Sequence, residues 1–312
     1  MMNAGMRSIA LWLIAVITVI TPIAADAKKD LRLKPGGTGK VCLECHEGFR
    51  EVSEKPHVHD PVKNGLCNGC HNPHASDHKT LLLDVPEALC SRCHKVVPEK
   101  ALSTHGPVDD GKCLTCHDPH GSDQPKLLLK PANDVCVGCH KTLVDAAISA
   151  KFKHRPVEKD GCPTCHNPHG SSKSTSLLSD SVPALCVRCH KPDQPVFLKK
   201  HAGYRVATAR CTSCHDPHGS NQRGMLYQEV HPPITKMMCS QCHEPATSGK
   251  GFALKRSGAD LCRTCHSDDM NPIFARNRVH SPLLTPASCL TCHNPHASKT
   301  KGLLRANGVQ VC

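Results

Sequence analysis

The chain has 312 residues but only one Trp, two Tyr and five Phe, too few large side chains for the cores that two ordinary domains of this length would need. Its 23 cysteines would suggest a disulfide scaffold in a small secreted protein, yet 22 of them fall in Cys-x-x-Cys pairs and every pair is followed by His. The formal charge of +12 would by itself point to nucleic acid or anionic lipid, an inference that the motifs described below remove.

The first predicted element, Met1 to Ala27, reads as a secretory signal. Arg7 supplies the positive start, Ser8 to Ile20 the apolar run, and Ala25-Asp26-Ala27 the small-residue cleavage site, so the mature chain is expected to begin near Lys28. The apolar run is shorter than the ~20 residues of a membrane span and Pro22 interrupts its end, which favours cleavage over an uncleaved anchor. No cysteine follows the cleavage site as it would in a lipoprotein, and no later segment is apolar enough to cross a bilayer.

Eleven pentads then follow in order: Cys42-x-x-Cys45-His46, Cys67-x-x-Cys70-His71, Cys90-x-x-Cys93-His94, Cys113-x-x-Cys116-His117, Cys136-x-x-Cys139-His140, Cys162-x-x-Cys165-His166, Cys186-x-x-Cys189-His190, Cys211-x-x-Cys214-His215, Cys239-x-x-Cys242-His243, Cys262-x-x-Cys265-His266 and Cys289-x-x-Cys292-His293. Each is the attachment signature of a c-type haem. Two cysteines three positions apart lie on one face of a helical turn and can both reach the vinyl groups of one porphyrin, and the adjacent His meets the iron. Eleven covalently attached haem c groups are expected. This attachment takes place outside the cytoplasm, in agreement with the signal segment. Two propionates per haem turn the protein's +12 into a formal balance near −10, so Lys and Arg read as propionate partners and solvated surface, with no nucleic-acid partner. Structural zinc also uses paired Cys-x-x-Cys, but it does not require His after every pair and has no use for an export signal.

Successive pentads start 23 to 28 residues apart, a period that marks a repeat architecture. Five of them continue as His-x-Pro-His, placing a second histidine at His74, His120, His169, His218 and His296. The same five are preceded, eight to ten residues before the first Cys, by His59, His105, His154, His201 and His280. Other pentads follow Leu-rich segments, such as Leu81 to Leu83 before Cys90 and Leu177-Leu178 before Cys186. These ten histidines are the candidate sixth ligands, against four mature methionines, so bis-His, low-potential, six-coordinate haems are expected. A His three residues past the proximal ligand, with Pro between them, is badly placed for the far face of its own iron. The Pro-His histidines are therefore expected to ligate neighbouring haems. His57, His78 and His231 remain, and read as propionate partners.

This recurrence of pentads, Pro-His pairs and Leu runs resembles the doubled Cys-x-x-Cys-His family of multihaem cytochromes c, over essentially the whole mature chain. The register weakens at Cys239, which follows an insertion containing His231, and at Cys262, which is preceded by Glu244-Pro245-Ala246. With 25 Pro and 21 Gly, the expected fold is mostly irregular with short α-helices: a repeat-built multihaem cytochrome c array with a haem core. The resemblance implies a periplasmic or secreted carrier of single electrons in anaerobic or extracellular respiration, exported to the periplasm or outer surface of a Gram-negative bacterium. Its partners would be redox-protein donors and acceptors, with an outer-membrane porin-cytochrome complex as one setting. Two other readings stand beside it. One is a reductase of a nitrogen or sulfur oxyanion or of a metal, with one open haem, although no Cys-x-x-Cys-Lys pentad is present. The other is a subunit of a conductive filament.

Cys312 is the one cysteine outside a pair. It lies 23 residues after Cys289 and nine after Leu303, the register of a first pentad cysteine, so the sequence is expected to be cut inside a twelfth motif. A twelfth haem would follow if the chain continues.

Overall fold

The structure, a computed structural model, describes residues 37–311, so the predicted signal segment and Cys312 lie outside the described residues. The pentads come in two kinds that alternate along most of the chain. Those of the first kind form single 3-10 turns at Cys67–Gly69, Cys113–Thr115, Cys162–Thr164, Cys211–Ser213, Cys239–Gln241 and Ser288–Thr291. Each of these is followed by a proline two residues after its His, from Pro73 to Pro295, and the residue before a proline is held out of the helical region, so the turn cannot propagate. Those of the second kind ride on α-helices: Gly37–Leu43, Pro86–Ser91, Ala132–Ser149, Val182–Val187 and Gly258–Phe274. Pro86 and Pro183 sit in the first turn, where a missing N–H costs nothing.

Two of these helices, of 18 and 17 residues, are longer than the sequence pattern led one to expect. No proline interrupts them soon after the pentad, so they run on. Each is bent at its pentad histidine, His140 (φ −101, ψ 27) and His266 (φ −109, ψ 27).

After each first-kind pentad the chain loops out and returns on itself. Isolated antiparallel bridges join His71 to Leu82, His117 to Leu128, His166 to Leu178, His215 to Leu226, His243 to Leu254 and His293 to Leu304. In the first of these loops, Asn72 N–H donates to Leu81 O and Leu83 N–H to Cys70 O, both at 2.8 Å. A hydroxyl tightens the return in five of them, where Ser76, Ser122, Ser171, Ser220 and Ser298 donate to the carbonyls of Leu82, Leu128, Leu178, Leu226 and Leu304. The leucine segments are thus the closing strands of pentad loops.

Among the described residues, eight two-residue strands form four antiparallel ladders. They are β1 (His57–Val58), β2 (Ser103–Thr104), β3 (Gly121–Ser122), β4 (Phe152–Lys153), β5 (Gly170–Ser171), β6 (Gly219–Ser220), β7 (Glu229–Val230) and β8 (Ala297–Ser298). The pairs are β1 with β3, β2 with β5, β4 with β6 and β7 with β8. In each pair, a strand just before or near a His-x-Pro segment meets the strand just after the Pro-His of the following unit. The approach is close: a Cβ on Gly121 would stand 3.0 Å from Val52 O, and one on Gly170 would stand 3.0 Å from Ser103 O. A Cβ at either glycine would need its neighbour to shift by a few tenths of an ångström, and the fourth ladder carries the small, fully buried Ala297 at this place.

A conventional core is nearly absent. Among the described residues the buried apolar side chains are Ala147, Ala150, Tyr204 and Ala297, and no large side chain is fully buried. No described helix is long and apolar enough to cross a membrane.

Candidate haem sites

The loop that follows a first-kind pentad aims that pentad's histidine. At its tip stand residues with positive φ: Thr80 (57°), Lys126 (61°), Gly224 (72°) and Gly302 (72°). Their carbonyls accept the Nδ1–H of His71 (2.8 Å), His117 (2.9 Å), His215 (2.7 Å) and His293 (2.8 Å). His166 and His243 donate likewise to Ser176 O and Phe252 O, both at 3.1 Å. A backbone carbonyl on Nδ1 fixes the tautomer and leaves Nε2 bare as a metal ligand. The backbone there is strained, as is common where a site demands one orientation.

The upstream histidines are aimed the same way by a different partner. Nδ1–H of His59 donates to Pro119 O (2.9 Å), that of His154 to Pro217 O (2.7 Å) and that of His231 to Pro295 O (3.0 Å). The Pro-His segments themselves are Asx turns, in which Asn72, Asp118, Asn167, Asp216 and Asn294 accept the backbone N–H of the histidine two residues on, at 2.9–3.1 Å. Burial keeps the rings of His154, His166, His169, His215, His231 and His296 below the usual imidazole range, hence neutral, as an axial ligand must be.

These rings meet in pairs. First-kind histidines face the Pro-His of the next unit: His71 with His120 (ring centres 6.1 Å apart), His117 with His169 (5.9 Å), His166 with His218 (6.1 Å) and His243 with His296 (6.0 Å). Second-kind histidines face the upstream histidine of their own unit: His94 with His59 (5.9 Å), His140 with His105 (6.1 Å), His190 with His154 (6.2 Å) and His266 with His231 (6.2 Å). A ninth pair, His215 with His201, stands at 6.2 Å. Aromatic rings can pair at about 4.5–7 Å unaided, but one spacing recurring in nine imidazole pairs points to a common cause. A metal midway between two Nε2 atoms, at the about 2.0–2.1 Å of a metal–imidazole bond and with about 1.1 Å from nitrogen to ring centre, sets the centres about 6.2–6.4 Å apart. The donor set therefore fits a bis-imidazole iron. It does not fit zinc, because among the described residues no three His, Cys, Asp or Glu side chains converge on one point.

The cysteines lie beside these pairs. Cys90 Sγ contacts Cys113 Sγ, and the same first-cysteine contact joins Cys67 to Cys42, Cys136 to Cys162, Cys186 to Cys211 and Cys262 to Cys289. The remaining steps bring Cys70 to Cys90, Cys116 to Cys136, Cys165 to Cys186, Cys214 to Cys239 and Cys242 to Cys262. Every pentad thus adjoins the next in sequence order. A cavity of about 4490 Å³ runs continuously past the first cysteines of the first seven.

A profile of the doubled CXXCH motif family matches six stretches of the chain, residues 59–98, 105–145, 154–195, 204–230, 231–271 and 280–312. The chain belongs to the doubled CXXCH motif family. It is a multihaem c-type cytochrome, a class whose work is electron transfer. No curated protein matches the chain. Five of the cytochrome's six matched units open on a histidine, His59, His105, His154, His231 or His280, and the units at 204–230 and 280–312 each hold a single complete pentad.

Not every histidine singled out from the sequence is brought against a second ring. Among the described residues, His46, His74, His280 and His293 face none at this spacing, although His46 and His74 line the same cavity. His231, read from the sequence as a propionate partner, stands opposite His266 instead. The signal was there: His231-Pro-Pro-Ile keeps the His-x-Pro-apolar order, eight residues before its Cys and 35 before its partner, as does His59. The two haem positions at which the sequence register weakens, Cys239 and Cys262, have facing pairs at His243 and His266.

Proposed function

We propose that the cytochrome holds eleven haem c groups in single file and carries single electrons along them between redox proteins. The observation that carries this reading is the set of nine imidazole pairs at 5.9–6.2 Å, each containing one pentad histidine. The twenty-two paired cysteines are the thioether anchors, the pentad histidines the proximal ligands, and the facing histidines the sixth ligands. Haem bound in this way supplies reversible one-electron exchange at an iron with no open position. The chain's own contribution is spacing and order. Its pentads adjoin at their cysteines, the edge by which a porphyrin is tethered, so each group is held beside the next. Leu82, Leu127, Leu128 and Leu178 line the shared cavity and would cover porphyrin faces.

The predicted export signal supports a carrier that works outside the cytoplasm, in the periplasm or at the outer surface, and links a periplasmic or inner-membrane donor to a more distant acceptor. His46 and His74, both without a ring partner and both facing the cavity, would complete the first haem.

Intact-mass spectrometry of the purified protein should give the polypeptide plus eleven haem masses, and the near-infrared magnetic circular dichroism of the oxidised protein should be that of bis-His low-spin iron. A shortfall in haem masses, or a Met–sulfur charge-transfer band across several haems, would overturn the reading.

A further inference from the structure

The eighth haem position, Cys211-x-x-Cys214-His215, departs from the rest in a way that bears on its electronics. In the eight other facing pairs the imidazole planes lie 11–28° apart. Here they are crossed at 62°. The cause is local. The unit at 204–230 has one pentad, so the upstream His201 has no second-kind histidine to face, and Glu244-Pro245-Ala246 supplies no Pro-His to cap His215. The two histidines left over meet each other, only 14 residues apart, whereas every other pair spans 35 to 53.

His215 is oriented as in the other first-kind pentads, through Nδ1–H to Gly224 O. The turned ring is His201. It ends the helix Pro195–Lys200, donates Nδ1–H to Phe197 O at 2.9 Å, and stacks on the Phe197 ring at 4.6 Å and 14°. No other paired histidine lies flat on an aromatic ring in this way among the described residues. Phe197 also stands 6.4 Å from His190, a ligand of the seventh position, so one side chain separates two successive sites.

We propose that Phe197 is a positioning residue that holds His201 crossed to His215, and that this makes the eighth haem a redox-distinct station at which an electron rests at higher potential than on its neighbours. The inference rests on the bis-His reading above. Its chemical ground is general. Each axial imidazole donates π density along its own plane, so parallel rings split the two iron d orbitals that receive it and stabilise the ferric state. Crossed rings leave those orbitals nearly degenerate, which weakens that stabilisation and gives a low-field, large-g electron paramagnetic resonance signal instead of a rhombic one.

The test is resonance spectroscopy during a reductive titration of the full-length haem-loaded protein. One haem's worth of large-g signal should appear in the oxidised state and vanish before most of the rhombic signal. Phe197→Leu, which frees the ring, should move that signal into the rhombic set and make its reduction later, while Phe197→Tyr should retain it. A wild-type spectrum without the large-g component, or an F197L spectrum that keeps it unchanged, overturns the proposal. His201→Ala separates this failure from that of the underlying reading. High-spin iron amounting to one haem in H201A confirms His201 as a ligand whatever the ring angle, and its absence overturns the ligand assignment itself.

Discussion

At the residue scale, the decisive atom is Nδ1. A histidine on a flexible chain offers either nitrogen, and the free choice is removed here by one hydrogen bond to a carbonyl, supplied by a strained loop tip for His71, His117, His215 and His293 and by a proline carbonyl for His59, His154 and His231. The strain has a measurable size. At the loop tip two units use Gly224 and Gly302, while two others carry Thr80 and Lys126 at the same φ. A Cβ on Gly224 would meet nothing within 4 Å, so Gly224→Ala carries conformational cost without a clash. The variant should lose about 1 kcal/mol of stability, the order of the left-handed penalty for an L-residue, with haem content and spin state unchanged. Thermal unfolding followed in the Soret band checks this, and an unaltered midpoint would show that the carbonyl position tolerates other geometries. Little of this was legible in the sequence, because Thr-Leu, Lys-Leu and Gly-Met at the loop tips share a backbone conformation and no side-chain chemistry.

At the scale of elements, the ladders do the aligning. β1 pairs with β3 through His57 with Ser122 and Val58 with Gly121, and His59 N–H donates to His120 O at 2.9 Å. That brings a Pro-His of one unit over the pentad of the unit before it. Replacing His120 with Ala should therefore leave the haem on Cys113 and Cys116 low-spin and convert the one on Cys67 and Cys70, whose His71 faces His120, to a high-spin, carbon-monoxide-binding form. Nuclear magnetic resonance of the hyperfine-shifted haem methyls can tell the two apart. If the haem held by His117 changes instead, the pairing between units is wrong. The sequence indicated that Pro-His histidines serve a neighbour, because proline fixes the direction of departure. It did not say which neighbour, since two-residue strands carry no periodicity that could be read, and the glycines that permit the close approach look like any other turn glycine. The two long helices escaped notice for a related reason: Ala132–Ser149 follows from what is absent, a proline soon after His140.

Across the whole molecule, the nine pairs divide into two sets. None joins a histidine up to His218 with one from His231 onward. Those two blocks are held together instead by Asn294 Nδ2–H to Ser213 O (3.1 Å), Tyr204 O–H to Glu244 O (2.8 Å), and Lys299, which pairs with Asp216 at 2.8 Å and lies 5.5 Å over the Tyr227 ring. Burial pushes the Asp216 carboxyl up, but hydrogen bonds from His218 and Lys299 more than offset it and hold it at about 2. Lys299→Ala should weaken this junction by on the order of 1 kcal/mol, since the lysine itself is mostly exposed. In denaturant, the C-terminal haems should then come apart at lower concentration than the first eight, as two Soret transitions. A single transition shifted as a whole would mean that the blocks unfold together. The eleven pentads and their order were plain from the sequence, and this division was not, because it depends on the unit at 204–230, which interrupts the pairing of pentads inside the chain.

The unequal reach of the pairs also sets a timetable. On the proposed export reading, the chain emerges with His59 ahead of His94, so a second-kind haem after the first finds its sixth ligand already waiting. A first-kind haem at His71 has no such luck until His120 arrives, 49 residues later. From His71 until His218 the nascent cytochrome would carry a briefly five-coordinate iron at the first-kind pentad whose Pro-His partner has not yet arrived, and the first haem would wait likewise from His46 until His74. Chains arrested part-way should bind carbon monoxide there, and binding at a second-kind haem other than the first would contradict the order. The pattern of reach that knits the finished protein is thus also a clock for its assembly, and the His201–His215 pair, closed within 14 residues, is the one first-kind pair where the iron does not have to wait.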